Sequence, residues 1–431
     1  MGGGFTAVVI FAIAGAWIPV MHRCAWLFCR PGLSANEHVE FFPSHGLRPD
    51  PTENPRLWEV QIGGVVYEKH WGEEALINTI VKTALYFQAS DEQGKLLAKR
   101  IGFFTRDFNR GKQLQVKFQG CGKVKRDKIW STPSNSTSDC GHISNEEWIL
   151  TAPSQEDGTF WGILRFESSL LQPGDFVTFS TTSGGLDKEE SQQFFSEARL
   201  IGNGGIGVIS DIDDTIRETG VGNVTQVLSS TFLEPFEEVE GMAAVYRRWS
   251  EEALKMDRTN PMSVHFVSGS PWPLQKELKS WLWGKTSKEI FPYGSFHLKS
   301  IRFELLEPWG IDGSILRLVS SPLDFKLTNA RSVLDRHFER KFILVGDAGE
   351  KDPEIYGQLY REHPDQVSSN VLIAYFTFCK YYSFAHGDSQ IYCDIVYYYS
   401  GGWNKLNGWC TTRGGFLWST CRTMENYPAF K

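Results

Sequence analysis

The chain changes its hydrophobic rhythm once. From about Leu57 to Ile201, apolar and polar positions alternate in short runs, "RLWEVQIGGVVYE", "KQLQVKFQG", "EEWILTAP", "TFWGILRFES" and "GDFVTFSTT", punctuated by Gly, Pro, Asn and Asp. Period-two runs broken by frequent turn residues predict an all-β sandwich or barrel, with one helical interlude over Glu74–Gln88. Beyond "IGNGG", continuous apolar runs alternate with stretches of helical period. "IGVIS" is followed by Asp211, "MSVHFV" by Ser268 and "KFILVG" by Asp347. Leu274, Leu278, Trp281 and Leu282 mark one helix face between them, and Leu327, Ala330, Leu334 and Phe338 a second.

Strands separated by helices predict a parallel sheet with helices on both faces, and such sheets bind ligands at the carboxyl ends of their strands. Each of the three runs ends in a side chain that carries chemistry. The section Tyr293–Leu323, with Asp312-Gly313 as turn signal, reads as an inserted β-hairpin, either a structural flap or a lid. The expected organisation is a leader and linker over 1–50, a β-sandwich-like domain over 55–200, an α/β domain over 204–375 and an atypical tail over 376–431. "VLIAYFTFCKYYSF" could begin as a last sheet strand, and the remainder shows no periodicity.

Asp211 and Asp213 lie two apart on extended chain, so both face one side. Two anions so placed repel, and a metal ion or a shared proton is the expected compensation. A polar turn made by Asp213, Asp214 and Thr215 is the bland alternative; a cap explains one aspartate, not the recurrence of the pattern at Ser268 and Asp347. A calcium loop fails, because "DIDDTIRETGVG" lacks the glycine and the final acid such loops require. Ser268 opens "SGSPWPL", where Pro271 and Pro273 break the strand and free main-chain amides to cradle phosphate oxygens. Lys326 sits near a helix start, where the macrodipole disfavours a cation by about 0.3–1 kcal/mol; it is either a surface lysine or one that works on an anion. Asp352, before Pro353, doubles as a helix cap.

These stretches, in this order, resemble the haloacid-dehalogenase (HAD) superfamily of phosphotransferases. "DIDDT" looks like its first motif, Ser268 its second, Lys326 its third, and Gly346-Asp347 with Asp352 its fourth. "DIDDTIRETGV", "HFVSGSPWPL", "FHLK" and "VGDAGEKDPEIYGQLY" are similar to the phosphatidate phosphatase family first known from actin-patch proteins, and "DGTFWG" to that family's amino-terminal module. Lys299 in "FHLK" is the rival for the third motif; Lys326, which opens the intervening helix, is preferred. The resemblance implies a HAD-like Rossmannoid sheet and a phosphatidate phosphatase. Asp211 would be nucleophile, Asp213 the proton carrier, and Thr215, Ser268 and Lys326 further catalytic residues. Asp211, Asp213, Asp347 and Asp352 would form the Mg2+ site. A threonine stands where Asp213 does in the superfamily's ATPases, so the chain resembles a phosphatase rather than a pump. The alternatives are a phosphatase of soluble phosphate monoesters and a catalytically weak membrane-interface binding protein.

Composition adds compartment and partners. The 431 residues exceed one typical core. A net charge of −7 with no basic run excludes the footprint that nucleic acid demands. The 14% aromatic content fits either aromatic strands or peripheral contact with a membrane surface. An apolar run from Phe5 to Met21, with Ala14-Gly15-Ala16, reads as a secretory signal peptide, with a retained anchor as the alternative; "MGGGFT" also matches a myristoylation pattern, discounted because the apolar run explains the segment. No cysteine pairs have zinc-like spacing. Cys121 and Cys140 bracket a polar loop that a disulfide could close in a secreted protein, with Asn135 as a glycan acceptor. Both expectations lapse if the chain stays cytosolic.

Overall fold

A computed structural model describes residues 32–49, 52–68, 90–104, 106–122, 149–183, 192–221, 223–284, 291–300, 323–347, 350–373, 381–383, 389–399 and 402–411, with isolated positions between 75 and 82. The apolar leader, Asn135, Cys140 and residues 301–322 of the expected hairpin lie outside them.

The first sheet has nine strands: β1 (Glu37–Phe41), β2 (Ser44–Leu47), β3 (Leu57–Glu68), β4 (Asp107–Phe108), β5 (Gln115–Gly122), β6 (Ile149–Leu150), β7 (Thr159–Glu167), β8 (Phe176–Ser183) and β9 (Gln192–Leu200). Their order is β1-β3-β2-β9-β8-β5-β6, with β4 and β7 also on β3. The two-residue period does what it predicts in β7, which buries Phe160, Leu164 and Phe166 and exposes Trp161 and Arg165. Beside β6, the Ala152 amide donates to the Trp161 carbonyl, which curls the sheet around a core that includes Trp58, Val60, Ile62, Phe166 and Phe179. Cys121 in β5 is buried and disulfide-bonded.

The expected interlude Glu74–Gln88 is helical at its described positions, 75, 78, 79 and 82, the rest lying outside the described residues, and a further helix follows as α1 (Asp91–Phe104). Gly94 and Gly102 lower its intrinsic propensity, but packing overrides it. Leu97, Ile101 and Phe104, at i, i+4 and i+7, join the core of the second sheet rather than that of the first.

That second sheet carries the α/β pattern: β10 (Ile206–Ser210), α2 (Val224–Phe232), α3 (Met242–Met256), β11 (Ser263–Pro271), α4 (Gln275–Trp283), β12 (Gly294–Lys299), α5 (Leu323–Arg336), β13 (Lys341–Asp347), α6 (Asp352–Glu362) and β14 (Val367–Ile373). The five strands run parallel in the order β12-β11-β10-β13-β14. Neighbouring residues of one strand point to opposite layers. Val208 and Ile343 pack with α2, α3 and α4, whereas Ile209 and Leu344 pack with α5 and α6. Leu278 and Leu282 are buried as the helical period requires, and so are Leu327, Ala330 and Leu334. Phe338 departs from the expected face: it lies beyond the end of α5 and is 61% exposed. Gly294–Lys299, expected within the hairpin, is an edge strand paired parallel to β11. Its half-apolar composition satisfies a sheet edge as well as a hairpin arm.

The chain steps from β10 outward through β11 and β12, then returns to place β13 on the other flank of β10. The carboxyl ends of β10 and β13 therefore adjoin at the point where the winding reverses, the usual crevice for ligands in such sheets. In the tail, β15 (Tyr381–Ser383), β16 (Ser389–Tyr399) and β17 (Gly402–Thr411) pair antiparallel, and Asn370 opposite Tyr398 joins them to β14. Among the described residues no helix is long and apolar enough to cross a membrane.

Candidate active site

Asp211 follows the last residue of β10, and its amide donates to the Val345 carbonyl of β13 at 2.8 Å. A buried chain holds its backbone from behind: the Tyr246 hydroxyl donates to Ser210 Oγ at 2.6 Å, and Ser210 Oγ donates to the Asp211 carbonyl at 2.6 Å. The carboxylate is 1% exposed, yet neither oxygen accepts a hydrogen bond. Among the described residues its one close cation is Lys326, whose Nζ lies 3.1 Å from Oδ2. Lys326 projects from the first turn of α5 and also reaches Glu350 and Asp352, each at 2.7 Å. Asp352 opens α6; its Oδ1 takes the lysine and its Oδ2 the Asp347 amide at 3.0 Å. One lysine thus faces three enclosed carboxylates.

The charges perturb one another accordingly. Burial raises the Asp211 carboxyl well above its ordinary value; Lys326 opposes that shift, and Asp352, Glu350 and Asp213 reinforce it. Burial alone would lower the Lys326 ammonium, but Asp211, Asp352 and Glu350 outweigh it and raise its pKa well above the ordinary value. Such a site fits a cation. It has a buried carboxylate that accepts no hydrogen bond and excess negative charge, and the oxygens of Asp211, Glu350 and Asp352 lie within 4.8 Å of one another. Asp213 and Asp347 are not in that trio. Asp347 ends β13, 4% exposed, beside it.

Asp213 turns to a different set of partners. Arg217, four residues on across a turn, donates to its Oδ1 through Nε at 3.1 Å and through Nη2. The Thr219 hydroxyl adds a bond at 2.8 Å to Oδ1, and Ser270 one at 2.6 Å to Oδ2. Ser268 Oγ is 3.3 Å from Oδ2 and accepts the Ser270 amide. Burial would raise this carboxyl, but Arg217 and the hydroxyls outweigh it and hold it below the ordinary value.

Asp214 does neither job. At φ 51°, a conformation that short polar side chains tolerate, its carboxylate accepts the amides of Thr219, Gly220 and Val221 at 2.6–2.7 Å and closes the loop after β10. Thr215 is fully buried and its hydroxyl has no partner. Lys299 ends β12, at the sheet edge, whereas Lys326 stands among the carboxylates.

The structure therefore gathers Asp211, Lys326 and Asp352 at one point and Asp213 with Ser268 at the next, with Asp347 alongside. Glu350, Arg217, Thr219 and Ser270 are additional. Arg217 had a signal in the sequence, its i+4 spacing from Asp213; Thr219 and Glu350 arrive through loops and Ser270 from the irregular end of β11, whose shapes no local pattern specifies.

Residues 206–373 match the family model described as the catalytic domain of phosphatidate phosphatase APP1. This segment is similar to that catalytic domain. The phosphatidate phosphatase APP1 of Saccharomyces cerevisiae is 26% identical over 208 residues, covering 48% of this chain and 32% of the yeast protein. An uncharacterized protein of Schizosaccharomyces pombe is 30% identical over 177 residues, covering 40% of this chain and 26% of that one. The aligned parts thus span about a quarter to a third of these relatives' length. A solved carbohydrate esterase chain, 10% identical and covering 79% of this chain and 89% of its own, aligns with a TM-score of 0.18, too low to bear on the fold.

Proposed function

We propose that the protein is a Mg2+-dependent phosphatidate phosphatase of HAD-like fold, which hydrolyses phosphatidate to diacylglycerol and phosphate through an aspartyl-phosphate. The observation that carries this reading is the Asp211 carboxylate. It is buried at the end of the central strand, accepts no hydrogen bond and is ion-paired with Lys326, inside the segment that matches the APP1-type catalytic domain.

Asp211, kept free of hydrogen bonds, is able to attack phosphorus, dividing one hard displacement into two easier ones. Lys326 and the Ser268 hydroxyl would hold the transferring phosphoryl oxygens, where charge must be stabilised. Asp213 then has to give a proton to the departing alkoxide and later take one from water. Its surroundings hold it as a carboxylate, and the arrival of a phosphate dianion beside it favours protonation. The Asp211 carboxylate, the Asp213 main chain and the Asp347 side chain, with Asp352 nearby, would hold Mg2+, which supplies charge neutralisation for the anions crowded there.

A phospholipid substrate requires contact with a membrane surface, so the protein would act peripherally, and the apolar run at 5–21 would direct it to the secretory pathway. Sequencing the mature amino terminus separates a cleaved signal from an anchor. For the reaction, the test is phosphate release by the purified full chain from phosphatidate and from glycerol phosphate, with Mg2+ and with a chelator. Release from phosphatidate, abolished by the chelator, is expected. Release from glycerol phosphate alone would replace the lipid by a soluble monoester, and no release from either, with liposome binding retained, would make the protein a membrane-interface binder.

A further inference from the structure

A path of contacts connects α1, which belongs by sequence to the first sheet's region, with the side chain that moves the proton. Arg100 of α1 is 3% exposed. Its Nη1 donates to the carbonyls of Thr231 at 2.8 Å and Glu234 at 2.7 Å, and lies 3.4 Å from that of Ser230. Those of Ser230 and Thr231 are carbonyls that the end of α2 leaves without helical partners, a favourable place for a cation. The Arg100 guanidinium carbon also lies 4.0 Å from the centre of the Phe236 ring. Arg217 lies over the same ring, at 4.4 Å. It is itself 2% exposed and holds Asp213 by two bonds.

The backbone supports the same route. Segment 234–239, whose first residue Arg100 holds, is laced to the loop after β10: the Glu218 amide donates to Glu237 and the Val239 amide to Ile216, both at 3.0 Å. Leu97, Ile101 and Phe104 fix α1 in the core of the second sheet on the same helix. Arg100 costs free energy to bury so close to Arg217; it is lowered to about 10 by burial first and Arg217 second. Phe236 between such cations offers cation–π attraction to each, worth more where water is excluded.

We propose that Arg100 is a positioning residue for the proposed phosphatase reaction, holding Phe236 and, through it, Arg217 so that the Asp213 carboxylate faces the leaving oxygen. The inference rests on the phosphatase reading and adds to it a residue from outside the matched 206–373 segment.

A device that aims the proton donor matters for esters whose alkoxide leaves poorly and little for those whose anion leaves unaided. The test compares full-chain wild type, Arg100→Met, Phe236→Leu and the double variant, on phosphatidate, an alkyl ester, and on 4-nitrophenyl phosphate, an activated aryl ester. In Arg100→Met the kcat for phosphatidate is expected to fall about tenfold with KM within about twofold, while kcat for the aryl ester changes less than about threefold. Phe236→Leu should do the same, and the double variant should lose no more than either single one. Equal loss on both esters, additive losses, or a kcat for phosphatidate within about twofold of wild type would overturn the relay. If Arg100→Met does not fold, judged by a cooperative thermal melt, Phe236→Leu decides by the same criteria. If the aryl ester is not turned over, the KM-against-kcat split and the double variant decide. Absence of phosphate release by the wild type would instead overturn the phosphatase reading itself.

Discussion

Replacing Lys326 by Met would leave Asp211, Glu350 and Asp352 facing one another with their shared cation removed. Breaking a buried ion cluster in this way costs about 3–5 kcal/mol, so urea denaturation at neutral pH should show a loss of that size. The carboxyl pKa of Asp211 is raised in the fold. Stability therefore falls as pH rises from the unfolded value toward the folded one, and the Lys326→Met deficit should shrink as pH is lowered. Asp214 calls for a different expectation. Asp214→Ala removes three charge-assisted bonds to loop amides and leaves alanine at φ 51°. A loss of about 2–4 kcal/mol follows, and Asp214→Asn, which tolerates that backbone, should lose less; chemical denaturation ranks the two. At this scale the sequence made Asp211, Asp213, Ser268, Lys326, Asp347 and Asp352 conspicuous, because each follows an apolar run or opens a helix. Glu350 and Ser270 carry no such mark, since an acid in a loop or a serine at the end of a strand is ordinary until the fold aims it.

Among the elements, β10, β11 and β13 were legible as continuous apolar runs, because strands buried on both faces lose the alternation that marks a half-exposed sheet. α4 and α5 were legible from their leucines. β1, β2 and β9 were not: "SHGL" and "QQFFSEARL" are short or polar, and their pairing comes from distant partners. α1 was hidden by its glycines and is held by the second sheet's core. The end of β13 supplies a test. A Cβ on Gly346 would overlap Asp352 Oδ2 and lie 2.7 Å from the Tyr356 hydroxyl, which is itself bonded to the Val345 carbonyl. Gly346→Ala should therefore displace Asp352, lower kcat by about tenfold or more and cost about 1–3 kcal/mol of stability, read by kinetics and melting together.

On the scale of the whole molecule, the two sheets meet across buried histidines. The His45 ring of β2 lies 4.9 Å from that of His265 in β11, which lies 5.0 Å from His337 and 6.2 Å from His297. Both nitrogens of His45 lack a partner, Arg199 and Arg340 stand near, and the Phe296 amide of β12 bonds the Pro43 carbonyl across the seam. Burial first lowers His45, His265 and His337 well below the ordinary value, with Arg199 adding at His45, the facing His45 and His337 at His265, and Arg340 at His337; burial lowers His297 to about 4. All are neutral in the fold. Below about pH 6.5 the unfolded chain binds protons that the folded chain refuses. Each such histidine removes about 1.4 kcal/mol per pH unit from there down to its folded value. Stability should fall steeply between pH 6.5 and pH 4, and His45→Phe should flatten that slope in urea titrations. No sequence pattern announced this seam, because its histidines lie far apart in the chain and meet through packing of the sheets.

The central claim is that Asp211 performs phosphatidate hydrolysis, and the most direct measurement is inorganic phosphate released from phosphatidate, with Mg2+ present, by the full chain beside Asp211→Asn. Release by the wild type, with a fall of at least about a thousandfold in the folded variant, is the predicted result. Release by Asp211→Asn at the wild-type rate, or none by the wild type, would contradict it.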